Sequence, residues 1–220
     1  MQEVTTDVKI VPARREHAGF IAWVMLAAAR SHLERGSWDM MTAADEPATL
    51  RFLEALASTP EPHWMHHSLF LVAEVNGRPA AALSGYFDEE HPTASIIEHL
   101  PQAAEAIGLT FDQLMATWQQ GGHTILNCFQ EHTPNTWIVE HVATAPEFRR
   151  QGLVDRLLAA SIEKGRRRGA TVADVGVLIG NDRAQAAYEK AGFRVVMQKL
   201  DAEFEAAYGC AGIRGLSQPI

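Results

Sequence analysis

Three groups of residues in this chain have types and spacing that could do chemistry. The first is Arg149-Arg150-Gln151-Gly152-Leu153-Val154. It stands between an apolar run, Trp137 to Thr144, and an amphipathic run in which Leu153, Leu157, Leu158 and Ile162 recur at helical spacing. The order reads as strand, tight polar turn, helix. The first N–H groups of such a helix have no intrachain partner. With the helix dipole behind them they attract anions, and phosphate is a natural guest. Gly152 lets a ligand approach the backbone without a Cβ in the way. Arg149 and Arg150 add positive charge for a phosphate. The second group is Glu140, an acid in the middle of an apolar strand. An acid there is costly unless it faces water or a site, which makes Glu140 a candidate proton acceptor. Strand alternation puts its neighbour His141 on the opposite face. The third group is Asn181, whose amide can both donate and accept, together with the phenol of Tyr188 seven residues on.

These groups need elements to position them. Thr171 to Ile179 is rich in β-branched and apolar residues and predicts a buried strand, ended by Gly180. Asn181 or Asp182 can cap a helix over 183–190. Gly192 stops that helix, and Phe193 opens another strand. Upstream, Val8 to Val11 alternates as a first strand, and a helix over 17–30 and another around Leu50 to Leu56 flank a loop at 31–47. Strands over 68–75 and 78–86 are joined by Asn76-Gly77, a strong hairpin turn. With strand 137–144 they predict an antiparallel meander. The stretch 88–135 is too long for a hairpin loop. It predicts a helical insertion, with helices over 94–107 and 111–120, that shapes a pocket or covers the sheet. A short helix over 201–208 and an edge strand over 212–217 close a chain read as one domain over 1–220.

Composition narrows the class. A chain of 220 residues suffices to bury a sizeable core. The two cysteines, Cys128 and Cys210, make no disulfide framework and point to a reducing cytoplasm. Met1 to Asp7 lacks the basic and apolar regions of a secretory signal, and no stretch is long and uncharged enough to span a membrane. A formal net charge of −8 argues against nucleic-acid binding and is compatible with cationic amine substrates. The Gly-x-Gly-x-x-Gly fingerprint of nicotinamide-dinucleotide binding is missing at the first strand–helix turn.

The turn at 149–154, followed in order by Asn181…Ala184…Tyr188-Glu189-Lys190-Ala191-Gly192-Phe193, resembles the GNAT superfamily of acetyl-CoA-dependent N-acetyltransferases. The resemblance is clear over about 137–199. It implies a mixed α/β (α+β) fold, with a central, mostly antiparallel twisted sheet flanked by helices and, here, the insertion between the third and fourth strands. It implies that amides of Arg149, Arg150, Gln151, Gly152, Leu153 and Val154 bind the pyrophosphate of acetyl-CoA, although the family usually has Gly or Ala where this chain has Val154. Val142, Ala143 and Thr144 would pair with the pantetheine arm and polarise the thioester oxygen. Asn181 and Ala184 fall at cofactor-binding positions. Tyr188 stands where the family often keeps the general acid, beside the thiol, and Glu140 is the base of choice on its strand. The resemblance also implies direct attack on the thioester by a primary amine of a small molecule, amino-acid derivative or peptide; homodimers are common among relatives, though the sequence does not fix the oligomeric state, and no metal is expected. It places Trp38 and Asp39 near the acceptor, against a plain packed aromatic and a turn residue. Val154 leaves a second reading open, a GNAT-shaped module that binds acyl-CoA without catalysis. His63, His66 and His67 have the spacing of metal ligands on a helix, but Pro60 and Pro62 argue for a loop. Arg166-Arg167-Arg168 suits the negative end of its helix better than a nucleotide phosphate.

Overall fold

The computed structural model describes residues 7–220; of the stretch Met1 to Asp7, read above as lacking a secretory signal, the first six residues lie outside it. Seven strands form one sheet: β1 (Val8–Pro12), β2 (Phe70–Val75), β3 (Arg78–Phe87), β4 (Thr136–Thr144), β5 (Val172–Leu178), β6 (Arg194–Leu200) and β7 (Gly212–Pro219). Their order is β1-β2-β3-β4-β5-β7-β6. Every neighbouring pair is antiparallel except β4 with β5. The meander β2-β3-β4 is as expected, and Asn76 and Gly77 adopt the positive φ their turn requires. The last strand corrects the expectation. β7 is not at the edge but lies between β5 and β6, where it hydrogen-bonds on both sides, while β6 is the edge with Val196 and Leu200 exposed.

The helices are α1 (Ala18–Arg30), α2 (Ser37–Thr42), α3 (Glu46–Ala57), α4 (Leu100–Glu105), α5 (Phe111–Trp118), α6 (Leu153–Arg167), α7 (Asp182–Lys190) and α8 (Ala202–Tyr208). The segment expected as a loop before α3 holds the short α2. Its sequence lacks the length for a periodic signal, and its Trp38 is held instead by tertiary contacts. The insertion is more broken than expected, with 3-10 turns at Thr93–Ile96 and Gly122–Cys128 around the two helices.

One core packs α1, α3 and the insertion against the first face of the sheet through Ile21, Met25, Phe52 and Phe70. The second packs α6 and α7 against the other face through Leu157, Leu158, Trp137 and Phe193. Trp137 fixes α6 at close range. Its Nε1 donates to Ser161 Oγ at 2.9 Å, and a Cβ on Gly85 or Gly165 would come within 2.7 or 2.6 Å of its ring. Among the described residues no helix is long and apolar enough to cross a membrane.

Candidate active site

β4 and β5 are paired only over Thr136–Val139 and Val172–Val175. Beyond that point β4 stays with β3 and β5 stays with β7, so the two parallel strands part. Glu140 is the first residue past the last shared pair. The backbone of Glu140 to Thr144 is left with unpaired polar groups on the side facing β5, which an extended ligand can pair. A cleft of about 1200 Å³ occupies this opening. Its one end is lined by the turn Arg149 to Val154, its other by Trp38, Trp64 and Tyr86.

The turn leaves backbone donors open. Arg150 and Gly152 both take left-handed backbone, φ 64° and 69°, which curls successive N–H groups toward one side. α6 then begins at Leu153 with no side chain capping its N-terminus. Its first amides are therefore open to a ligand. Arg149 and Arg150 are exposed, and Arg149 Nε donates to Thr144 O at 3.4 Å. Asp155 in the first turn would repel a phosphate, but Lys190 Nζ donates to its carboxylate at 2.6 Å. Val154 packs against the second core, so its branched side chain is accommodated by apolar neighbours.

β4 does not alternate as its sequence suggests. Ala82 pairs with Ala143 and Ser84 with Glu140, so two steps along β3 match three along β4. The extra residue is a β-bulge in which His141 has φ 52°. The bulge corrects the expected orientation: His141 shares the face of Glu140. Its ring lies 5.4 Å from Trp64 and 5.8 Å from Phe70, both in the first core. Its Nδ1 is 3.3 Å from Ser84 Oγ, and burial lowers the imidazole's pKa. Glu140 Oε2 accepts from Tyr86 Oη at 2.6 Å. Burial, with the adjoining Glu140, pushes the Tyr86 phenol well above its usual range.

Asn181 caps α7, its Oδ1 accepting from Ala184 N at 3.1 Å. Its Nδ2 donates to Ser31 Oγ at 2.6 Å, which ties α7 to the end of α1. Tyr188 is buried in the second core, edge-on to Phe193, and lines the cleft. Burial alone raises its phenol's pKa. Glu140 and Tyr188 thus approach the gap between β4 and β5 from opposite faces of the sheet.

Other expectations divide. Trp38 is buried, 6.1 Å from Trp64, and lines the cleft. Asp39 is not in the cleft. Its carboxylate accepts from Arg30 Nη2 and Gly36 N, both at 2.8 Å. Burial works against its ionised form, but Arg30 holds its pKa below the ordinary value. His63 and His66 lie in the loop before β2, and His67 opens a 3-10 turn over His67–Leu69. Among the described residues no group of three or more His, Cys, Asp or Glu is arranged to hold a metal. Arg166 and Arg167 pair with Glu163, and Arg168 with Glu90. The reading of the residues missed Trp64, Tyr86 and Ser31, which only long-range contacts bring to the cleft. It also missed Asp174, an acid in an apolar strand that carries the same signal as Glu140.

The model of the acetyltransferase (GNAT) family matches residues 38–193. No curated protein matches the chain. Among solved structures, one described as an acetyltransferase covers 96% of this chain and 99% of its own, at 20% identity and a TM-score of 0.70. An N-acetyltransferase from Staphylococcus aureus Mu50 covers 96% and 100%, at 18% and 0.63. The structure of yncA from Salmonella typhimurium with its cofactor acetyl-CoA covers 97% and 94%, at 17% and 0.54. These likenesses show the fold, a mixed α/β sheet flanked by helices. The family match, running over more than half of the sequence and through the turn, the bulged strand and α7, shows that this chain belongs to the GNAT family of acetyltransferases.

Proposed function

We propose that the protein transfers the acetyl group of acetyl-CoA to a primary amine by direct attack in a ternary complex. One observation carries the reading: an uncapped helix start and a parted strand edge meet at a cleft with a carboxylate on one face and a phenol on the other. Amides from Arg149 to Val154 hold the pyrophosphate, and the free edge at Val142, Ala143 and Thr144 pairs the pantetheine arm. Amides of that edge also polarise the thioester oxygen, an effect of a few kcal/mol in other enzymes. Ala184 lines the same channel, and Asn181 shapes it through its cap and its bond to Ser31. Glu140 accepts a proton from the attacking nitrogen, and Tyr188 delivers one to the departing sulfur. Entry of the amine from one face and departure of the thiolate on the other keeps the two proton transfers apart.

The acceptor end supports a cationic amine with a flat or apolar body. Asp88, Glu131 and Glu140 line it beside Trp38, Trp64 and Tyr86, while the arginines of the cleft lie at Arg149, Arg150 and Arg183. A small molecule, an amino-acid derivative or a peptide N-terminus fits this description. The chain acts as one domain whose insertion at 88–135 shapes the acceptor pocket. The test is release of free thiol from acetyl-CoA with a pool of amines. Turnover with at least one amine is expected. Tight coenzyme A binding with no thiol release across the pool would leave an acyl-CoA-binding module instead.

A further inference from the structure

The cleft holds a second proton-handling arrangement. Asp174 on β5 is buried at 4% exposure. Its Oδ1 accepts from Ser217 Oγ at 2.6 Å. Its Oδ2 accepts from Gln130 Nε2 at 2.8 Å and from His132 Nδ1 at 2.9 Å. An ionised carboxylate can only accept, so His132 carries its proton on Nδ1. A histidine fixed in that way presents Nε2 as a lone pair, the arrangement by which a carboxylate orients a general base. His132 and Gln130 come from the end of the insertion and line the cleft, and the His132 side chain is 23% exposed. Asp174 pairs directly with Ile138, two residues before Glu140. Ile138 and Tyr86, the hydrogen-bond partner of Glu140, belong to the same core. Asp174 therefore lies on the same face of the sheet as Glu140, one strand over, and His132 borders the same cleft.

The chemistry of an alkylamine calls for two acceptors. Such an amine, with a pKa near that of lysine (about 10), arrives as an ammonium ion at neutral pH. It must lose one proton before its lone pair can form the C–N bond. It loses a second as the tetrahedral adduct collapses and the C–S bond breaks. Of the two, the overall reaction returns one to sulfur and releases one to water. A single carboxylate can hold only one at a time. Resting on the transfer reading above, we infer that His132, oriented by Asp174, takes the first proton from the incoming ammonium at Nε2 and hands it to water at the cleft mouth. Glu140 takes the second as the amide forms. His132 is a catalytic residue in this scheme and Asp174 a positioning one.

The test is a comparison of amine classes in the full-length protein. His132→Gln is assayed by thiol release against primary alkylamines, protonated near neutral pH, and against arylamines and acyl hydrazides, neutral there. Loss of kcat/KM on the order of 10²-fold is expected for the alkylamines and little change for the neutral amines. The alkylamine deficit should shrink as pH rises and supplies free amine, and imidazole should partly restore His132→Ala. Asp174→Asn should show the same split between classes, which a general loss of folding would not. Equal losses on both classes, or no loss on either, overturns the proposal. Coenzyme A affinity of the variants, measured by calorimetry, should match the wild type. Wild-type protein that binds coenzyme A but releases no thiol with any amine would overturn the transfer reading and this inference together. Wild-type turnover with an unselective His132 effect would overturn the inference alone.

Discussion

Acid should loosen this protein in a defined place. His63 is fully buried and His66 nearly so, in the loop that carries Trp64 to the cleft. Each is neutral by construction. Met65 N donates to His63 Nδ1, and His63 Nε2 faces Leu56 O at 3.1 Å. Ser68 N likewise donates to His66 Nδ1. Protonation would turn each acceptor nitrogen into a donor. Burial, then the neighbouring His99 and His66, lowers His63 from 6.5 to about 4. Burial and His67 lower His66 to about 4. A lowered histidine pKa means the unfolded chain binds protons that the native state refuses. Their contribution is complete above about pH 6.5 and is lost progressively as pH falls toward about 4. At about pH 5 the linkage costs roughly 2 kcal/mol per histidine, or about 1 kcal/mol after allowance for solvent screening. The pair together should lower Tm by roughly 4–8 °C between neutral pH and about pH 5. Carboxylates held by ion pairs, such as Asp39, matter only below this window. His91 and His141, also lowered by burial, add to it. The assay is thermal or urea unfolding across this range for the wild type and His63→Gln. The variant should be less stable near neutral pH, having lost the buried ring that stacks on His99. It should nonetheless show a shallower pH slope, by about 1 kcal/mol over the interval. A slope equal to that of the wild type would refute the reasoning.

Further outcomes follow from the same geometry. Tyr188→Phe should lower turnover at least about tenfold while leaving coenzyme A affinity nearly unchanged; full turnover would remove Tyr188 from proton delivery. Because the raised phenol pKa keeps the acid protonated, wild-type turnover should show no alkaline loss traceable to Tyr188 below about pH 10, which a pH–rate comparison with the Phe variant checks. Gly152→Val forces a branched residue into φ 69° at the helix start, at a cost of about 1–2 kcal/mol, so coenzyme A should bind about 5–30-fold more weakly by calorimetry. Gly85→Ala places a methyl 2.7 Å from Trp137 and should cost about 1–3 kcal/mol in urea unfolding without altering the cleft residues.

Much of the fold was legible because its signals are local. Asn76-Gly77 names its own turn, the β-branched run at 172–178 names a buried strand, and Leu153, Leu157, Leu158 and Ile162 mark the face of α6 that enters the core. The turn before α6 was legible for the same reason, since its polar residues, its glycine and the helix start are contiguous. The insertion was legible only as an insertion. Its helices are short, and 3-10 turns leave no period to read. The place of β7 was not legible, because inserting a strand between two others is decided by hydrogen-bond partners far away in the chain.

The amino-acid order by itself determined the family, the strand, turn and helix start around Arg149 to Val154, and Glu140 and Tyr188 as residues worth watching. Only the folded molecule decided which way they point. A single added residue in β4 breaks the two-residue alternation and brings His141 onto the face of Glu140. The parting of β4 from β5 places Tyr188 and Glu140 on opposite sides of one gap. Asp174 acquires His132, Gln130 and Ser217 from segments more than forty residues away in each direction, because a buried carboxylate must find donors wherever packing supplies them.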